Sequence, residues 1–311
     1  MSDPRSPAAD PAALGTGTGW TLLAALGFAA VSTLTSLATG EQVSLFTVLT
    51  WRYTLGAVVM VGWVGAHRYP KMAWKESLRF LALGGGGQAL LVGLALSSLQ
   101  YITAATLGFL FYTYPAWVTL VQALRGAEAL SIRRVVALSL SFGGIIVIVC
   151  QLANGGTLDL SPVAGSTSAR GIVLALGAAA VYGMYIPLMQ WMQKSHPIAV
   201  TSAYAKIGSA LCFLMLAVGD RSFTVSLSAT AWGAILALTL FSTVLPSVFF
   251  LKGLMRLGPV RTAIVSTVEP FLTAILGALV LGQPITVSVL VGGVMIVAAV
   301  VLLQYRRERV A

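Results

Sequence analysis

Long apolar runs, parted by short polar or basic joints, fill the chain from residue 18 to residue 305. Each run is close to the roughly 20 residues that a helix needs to cross the hydrocarbon of a bilayer. The pattern predicts ten spans, at 18–38, 44–66, 77–98, 101–124, 132–152, 170–192, 198–218, 229–251, 259–281 and 285–305. The tightest joints, Ser98–Tyr101 and Gly282–Pro284, part runs that would otherwise be too long for one crossing. Residues 1–17 are polar and read as a disordered tail, without the basic start and short apolar stretch of a cleaved signal.

Composition agrees with this pattern. Of 311 residues, 58% are hydrophobic and 9% charged, with a mean hydropathy of +0.91. Soluble domains carry about 25% charged residues. The expected class is therefore an all-α integral membrane protein. The net charge of +10 matters through its distribution. Fifteen of the 19 Lys and Arg fall in loops on one side, against Arg170 and Arg221 on the other. That bias predicts cytoplasmic N- and C-termini, including a basic tail at 306–311. Arg52 and Lys206 lie within spans.

The polar, Gly- and Ser-rich stretch 153–169 is the longest between spans and reads as a periplasmic linker. It separates two five-helix units, 18–152 and 170–305, that resemble each other. LLAALGFAAV at 22–31 matches IVLALGAAAV at 172–181 at six of ten positions. Pro115 and Pro270 are 155 residues apart, as are Glu128 and Gln283. Arg52 and Lys206 occupy similar places in the second helix of each unit. With five crossings per unit, the second must enter the membrane from the opposite face, giving inverted repeats.

Chemistry concentrates near the prolines. Glu269 and Pro270 stand side by side within an apolar span, and Pro115 sits at the matching place in the first unit. A carboxylate in hydrocarbon is costly, so it faces a bundle interior or a wet cavity. Glu269 is a candidate for contacting a substrate amine or a coupling proton, or for a structural ion pair with Lys206. Pro115, Pro187, Pro246 and Pro270 are expected to bend their helices. Ser242 and Ser247 lie close enough to Pro246 to satisfy freed backbone groups. Tyr112, Tyr114 and Trp117 flank Pro115; two residues apart on one helix, the tyrosines cannot share a face. Tyr114 would then pair with Trp117, or Tyr112 with Phe109, as cavity wall or as packing. Tyr182 and Tyr185 do share a face and are expected to line a cavity. Gln88 and Ser266 complete the candidate substrate-binding set. The run Gly84–Gly87 suits either close helix approach or a hinge.

Other chemistry finds little support. His67 and His196 are the only histidines, and both fall in expected loops. No HExxH and no phosphate-binding glycine loop occurs, which excludes a zinc protease or a self-contained ATPase on sequence. Cys150 and Cys212 lack metal spacing and read as small buried residues. No metal or cofactor is expected. An intramembrane enzyme and a non-transporting receptor are the readings of another class.

Two five-helix units, each with a Pro-bearing helix, a short turn (GAE, LGQP) and a Gly-rich last helix (FGGIIVIV, VLVGGVMIV), carry a family likeness. The chain resembles the EamA-type ten-helix members of the drug/metabolite transporter superfamily. Its FLFYTYPAW segment further resembles the YddG-like aromatic amino-acid exporters. In this chain Gln283 stands where the family often has Glu. The resemblance implies secondary export of small metabolites, especially amino acids, across a bacterial inner membrane; monomer and homodimer both stay open. Other small organic compounds or cationic drugs are the alternative cargo.

Overall fold

A computed structural model describes residues 11–39, 43–70, 72–98, 101, 107, 110–127, 131–153, 169–281 and 287–304. Every regular element among the described residues is helical. In chain order these are α1 (Pro11–Thr39), α2 (Leu45–Ala66), α3 (Trp74–Ser98), α4 (Tyr114–Leu124) and α5 (Ile132–Ala153). There follow α6 (Ala169–Gln193), α7 (Ile198–Gly219), α8 (Ala229–Leu257), α9 (Pro259–Ser266), α10 (Glu269–Leu281) and α11 (Val287–Gln304). Among the described residues, six helical stretches are long and apolar enough to cross a membrane: Leu14–Thr39, α2, α3, α6, α7 and α8. An all-helical build is what hydrocarbon demands, because each backbone N–H and C=O must be satisfied within its own segment. Some buried hydroxyls bond back one turn, as Thr21 does to Gly17 O at 3.0 Å and Thr50 to Phe46 O at 2.7 Å.

The outer faces remain apolar. Val58, Trp63, Val173, Met215 and Phe241 are all exposed. Such a surface suits lipid rather than water.

Packing pairs corresponding helices of the two halves. The second helices, α2 and α7, lie against each other, as do the last helices, α5 and α11. The first half's α1 packs on α8, and in the same way the second half's α6 packs on α3. Glycines set the closest approaches. A Cβ on Gly208 would fall 2.1 Å from the Leu81 carbonyl oxygen, and one on Gly84 would fall 2.4 Å from that of Ala205. Ser209 Oγ then donates to Gly84 O at 2.8 Å. The glycine run is thus a site of close helix approach, and it includes a π-helical turn over Leu83–Gly87. Gly144 meets Gly292 in the same manner in the α5–α11 contact.

Two expectations are corrected here. The first helix begins at Pro11, so residues 11–17 belong to it rather than to a tail. Proline is accommodated in a first helical turn, and Gly17 packs against the Arg256 and Leu257 side chains, so that a Cβ there would lie 3.0 Å away. Secondly, the helix carrying Glu269–Pro270 is interrupted, not merely bent: α9 stops at Ser266, Thr267–Val268 form a turn, and α10 starts at Glu269. The first-half counterpart also turns at Tyr112–Thr113, immediately before α4 starts at Tyr114. In each case proline takes the second helical position, where its missing N–H leaves no bond unmade. Pro187 lies inside α6, which remains helical on both sides of it. Phe109, Glu128, Gln283 and most of the 153–169 linker lie outside the described residues.

Candidate functional site

The two interruptions face a shared hollow. A cavity of about 330 Å³ opens between the halves, walled by residues of α1, α2, α3, α6, α7, α8 and α10 together with Phe111 and Tyr114. Its walls are mostly apolar and aromatic, with a few convergent polar groups, as small-molecule sites usually are.

One side is built on the α10 start. Glu269 lines the cavity, and Tyr112 lies close by. Tyr114, 2% exposed, donates to Ala263 O at 3.3 Å. The Tyr112 and Tyr114 rings are 6.4 Å apart and both approach Glu269. Of these two tyrosines Tyr114 lines the cavity and Tyr112 does not, and the turn at Tyr112–Thr113 breaks the helical register between them. Tyr182 lies edge-on to Tyr114 at 4.8 Å, stacks on Phe111 at 5.5 Å and on Tyr185 at 6.3 Å. Tyr182, Tyr185 and Gln88 line the cavity.

Three expected wall residues, Tyr112, Trp117 and Ser266, do not line the cavity. Trp117 packs behind the wall, its Cβ 2.4 Å from where a Gly183 Cβ would stand. The absence of a side chain at Gly183 lets α4 and α6 close to that distance. Ser266 is buried behind Tyr114 and does not reach the cavity.

The opposite side is cationic. Pro246 lacks the N–H that would bond the Ser242 carbonyl one turn back, and α8 widens into a π-helical turn at Leu240–Val244. Arg52 Nη2 takes the freed Ser242 carbonyl at 3.1 Å, while its Nε donates to Thr243 Oγ1 at 2.5 Å. Ser247 Oγ donates to Thr243 O, and Lys206 Nζ donates to Ser247 Oγ at 2.7 Å. Ser247 thus bonds a carbonyl beside the bend, whereas the buried Ser242 hydroxyl has no partner and Arg52 takes the carbonyl that proline frees. The expected Lys206–Glu269 ion pair is not formed: Lys206 is held by Ser247, although both charges line the cavity. Arg52, Tyr53, Phe28 and Thr243 are wall residues that sequence reasoning left out of the site. For Arg52 a signal existed, because an arginine in an apolar span is itself a mark of a cavity.

An apolar-jacketed helical bundle around a polar, aromatic-walled hollow is the build of a multi-pass membrane transporter. The EamA-like transporter family model matches residues 15–150 and again residues 169–305, and the chain belongs to that family. A relative from Archaeoglobus fulgidus, described as an uncharacterized transporter, is 26% identical over 208 residues, spanning 67% of this chain and 69% of the relative. The uncharacterized transporter YcbK of Bacillus subtilis is 24% identical over 200 residues, spanning 62% of this chain and 61% of YcbK. A solved crystal structure superposes with a TM-score of 0.78 over 93% of this chain and 96% of that one. At 18% identity that likeness concerns the fold alone.

Proposed function

We propose that this transporter exports small metabolites, foremost amino acids including aromatic ones, by alternating access around the central cavity. Ten crossings in two inverted five-helix repeats, with both termini in the cytoplasm of a bacterial cell and the linker outside, are the topology proposed. The loop-charge bias and the reciprocal packing of α1 on α8 and α6 on α3 support it. The observation that carries the reading is the pair of interrupted helices, with Tyr114 and Glu269 at equivalent positions 155 residues apart, meeting at one aromatic-walled cavity. Interrupted helices at a repeat interface provide both a polar binding surface and hinges for opening one mouth while closing the other.

Gln88, Tyr114, Tyr182, Tyr185 and Glu269 form the proposed substrate surface. The tyrosine faces suit an aromatic side chain, and Glu269 suits an amino group. The test is counterflow in proteoliposomes loaded with unlabelled phenylalanine and presented with labelled phenylalanine. Saturable uptake without ATP is expected, and Glu269→Gln should reduce it about tenfold or more by removing a charged contact. Absence of flux for every amino acid tried would discard the reading.

A further inference from the structure

Two cations look into the cavity from one side, and neither has a carboxylate partner among the described residues. Arg52 and Lys206 each lie 5.4 Å from the Tyr53 ring centroid, on either half of the molecule. Arg52 is 8% exposed and is held only by neutral oxygens, those of Thr243 and Ser242. Lys206 has one neutral acceptor, Ser247. Five N–H donors in a planar fork and three on an ammonium exceed these acceptors. Buried charge is normally paired, because removing an ion from water is expensive. Here two like charges share the lining of one cavity, each anchored by neutral oxygens. Glu269 lies on the same cavity, near Tyr112 and without an ion pair to either cation. The hollow therefore has a positive pole and a separate negative pole, with the Tyr182 and Tyr185 rings lining it as well.

We infer that Arg52 and Lys206 form the subsite for a carboxylate group of the transported molecule. This rests on the amino-acid reading and deepens it: a zwitterion matches both poles at once, whereas a purely cationic cargo would set its charge near two like charges. Thr243 and Ser247 act as positioning residues, fixing the guanidinium and the ammonium. The proline-induced turn in α8 supplies part of that anchorage through the freed Ser242 carbonyl.

The direct test compares ligands on the unmodified full chain in nanodiscs, so no variant has to fold. Binding is measured for phenylalanine, for phenethylamine, which lacks the carboxylate, and for 3-phenylpropionate, which lacks the amine. Phenylalanine should bind about tenfold or more tightly than phenethylamine, the scale of a lost charge-assisted contact. Lys206→Gln, whose amide can still bond Ser247, should weaken phenylalanine and 3-phenylpropionate by a similar factor and phenethylamine less than about twofold. Lys206→Arg should restore much of the loss. If 3-phenylpropionate binds in a Lys206-dependent way and no amino acid does, the amino-acid reading fails and the carboxylate subsite stands. Equal binding of phenylalanine and phenethylamine, equal weakening of all three ligands by Lys206→Gln, or failure of both carboxylates to bind would overturn the inference.

Discussion

Thr243→Val removes one hydroxyl while nearly keeping the side chain's shape. That hydroxyl accepts from Arg52 Nε at 2.5 Å and donates to Leu238 O at 2.9 Å. Thr243 is 1% exposed and Arg52 8%, so water has poor access to the nitrogen left behind. A hydrogen bond to a charged group contributes about 1.5–3 kcal/mol, and a stranded buried donor adds a desolvation cost. The expected loss in unfolding free energy is therefore about 2–3 kcal/mol. Thr239, one turn earlier on α8 and 1% exposed, is the matched control. Its hydroxyl donates to neutral carbonyls only, Ile235 O at 2.7 Å and Arg52 O at 3.4 Å. Thr239→Val should cost about 0.5–1.5 kcal/mol. Both are measured by equilibrium unfolding in mixed micelles with rising SDS, followed by tryptophan fluorescence. Losses that agree within error would refute the claim that Thr243 anchors a charged guanidinium instead of merely tying a helical turn.

Gly208→Ala places a methyl 2.1 Å from the Leu81 carbonyl, where backbone must yield, and should lower stability by about 1–3 kcal/mol in the same assay. Gly86→Ala, which meets nothing within 4 Å, should be neutral or slightly stabilising. Pro246→Ala restores an N–H that competes with Arg52 for the Ser242 carbonyl, so the transport KM should rise more than expression falls. Gly183→Leu cannot be accommodated against Trp117 and should abolish the folded peak in size-exclusion chromatography, because a Cβ alone already lies 2.4 Å from the Trp117 Cβ.

Much of this molecule is legible in its sequence because a bilayer leaves few options. Apolar length and the family-wide duplication give a helical bundle without reference to side-chain packing. Glu269, Tyr182 and Tyr185 could be placed at a cavity because a carboxylate in an apolar span and two aromatics at i, i+3 each imply an inward face. The failures around Pro115 share one origin. Spacing rules assume an unbroken helix, and the turns at Tyr112–Thr113 and Thr267–Val268 reset the register. That is why Tyr112 joins Tyr114 beside Glu269 while Trp117 turns to Gly183. Lys206 was paired with Glu269 on depth alone; depth along a helix says nothing about which neutral acceptor lies nearer. The start of α1 was missed because Gly and Thr between residues 15 and 19 look like a linker until Gly17 is seen packed against α8.

Alternating access is the claim on which the functional account turns, and cysteine accessibility tests it most directly. In a background without Cys150 and Cys212, Val92→Cys puts a thiol in the cavity wall. A membrane-impermeant maleimide should label it from outside in right-side-out vesicles and also in inverted ones, with labelling slowed in both by phenylalanine. Labelling confined to one vesicle orientation, with or without substrate, would contradict the account.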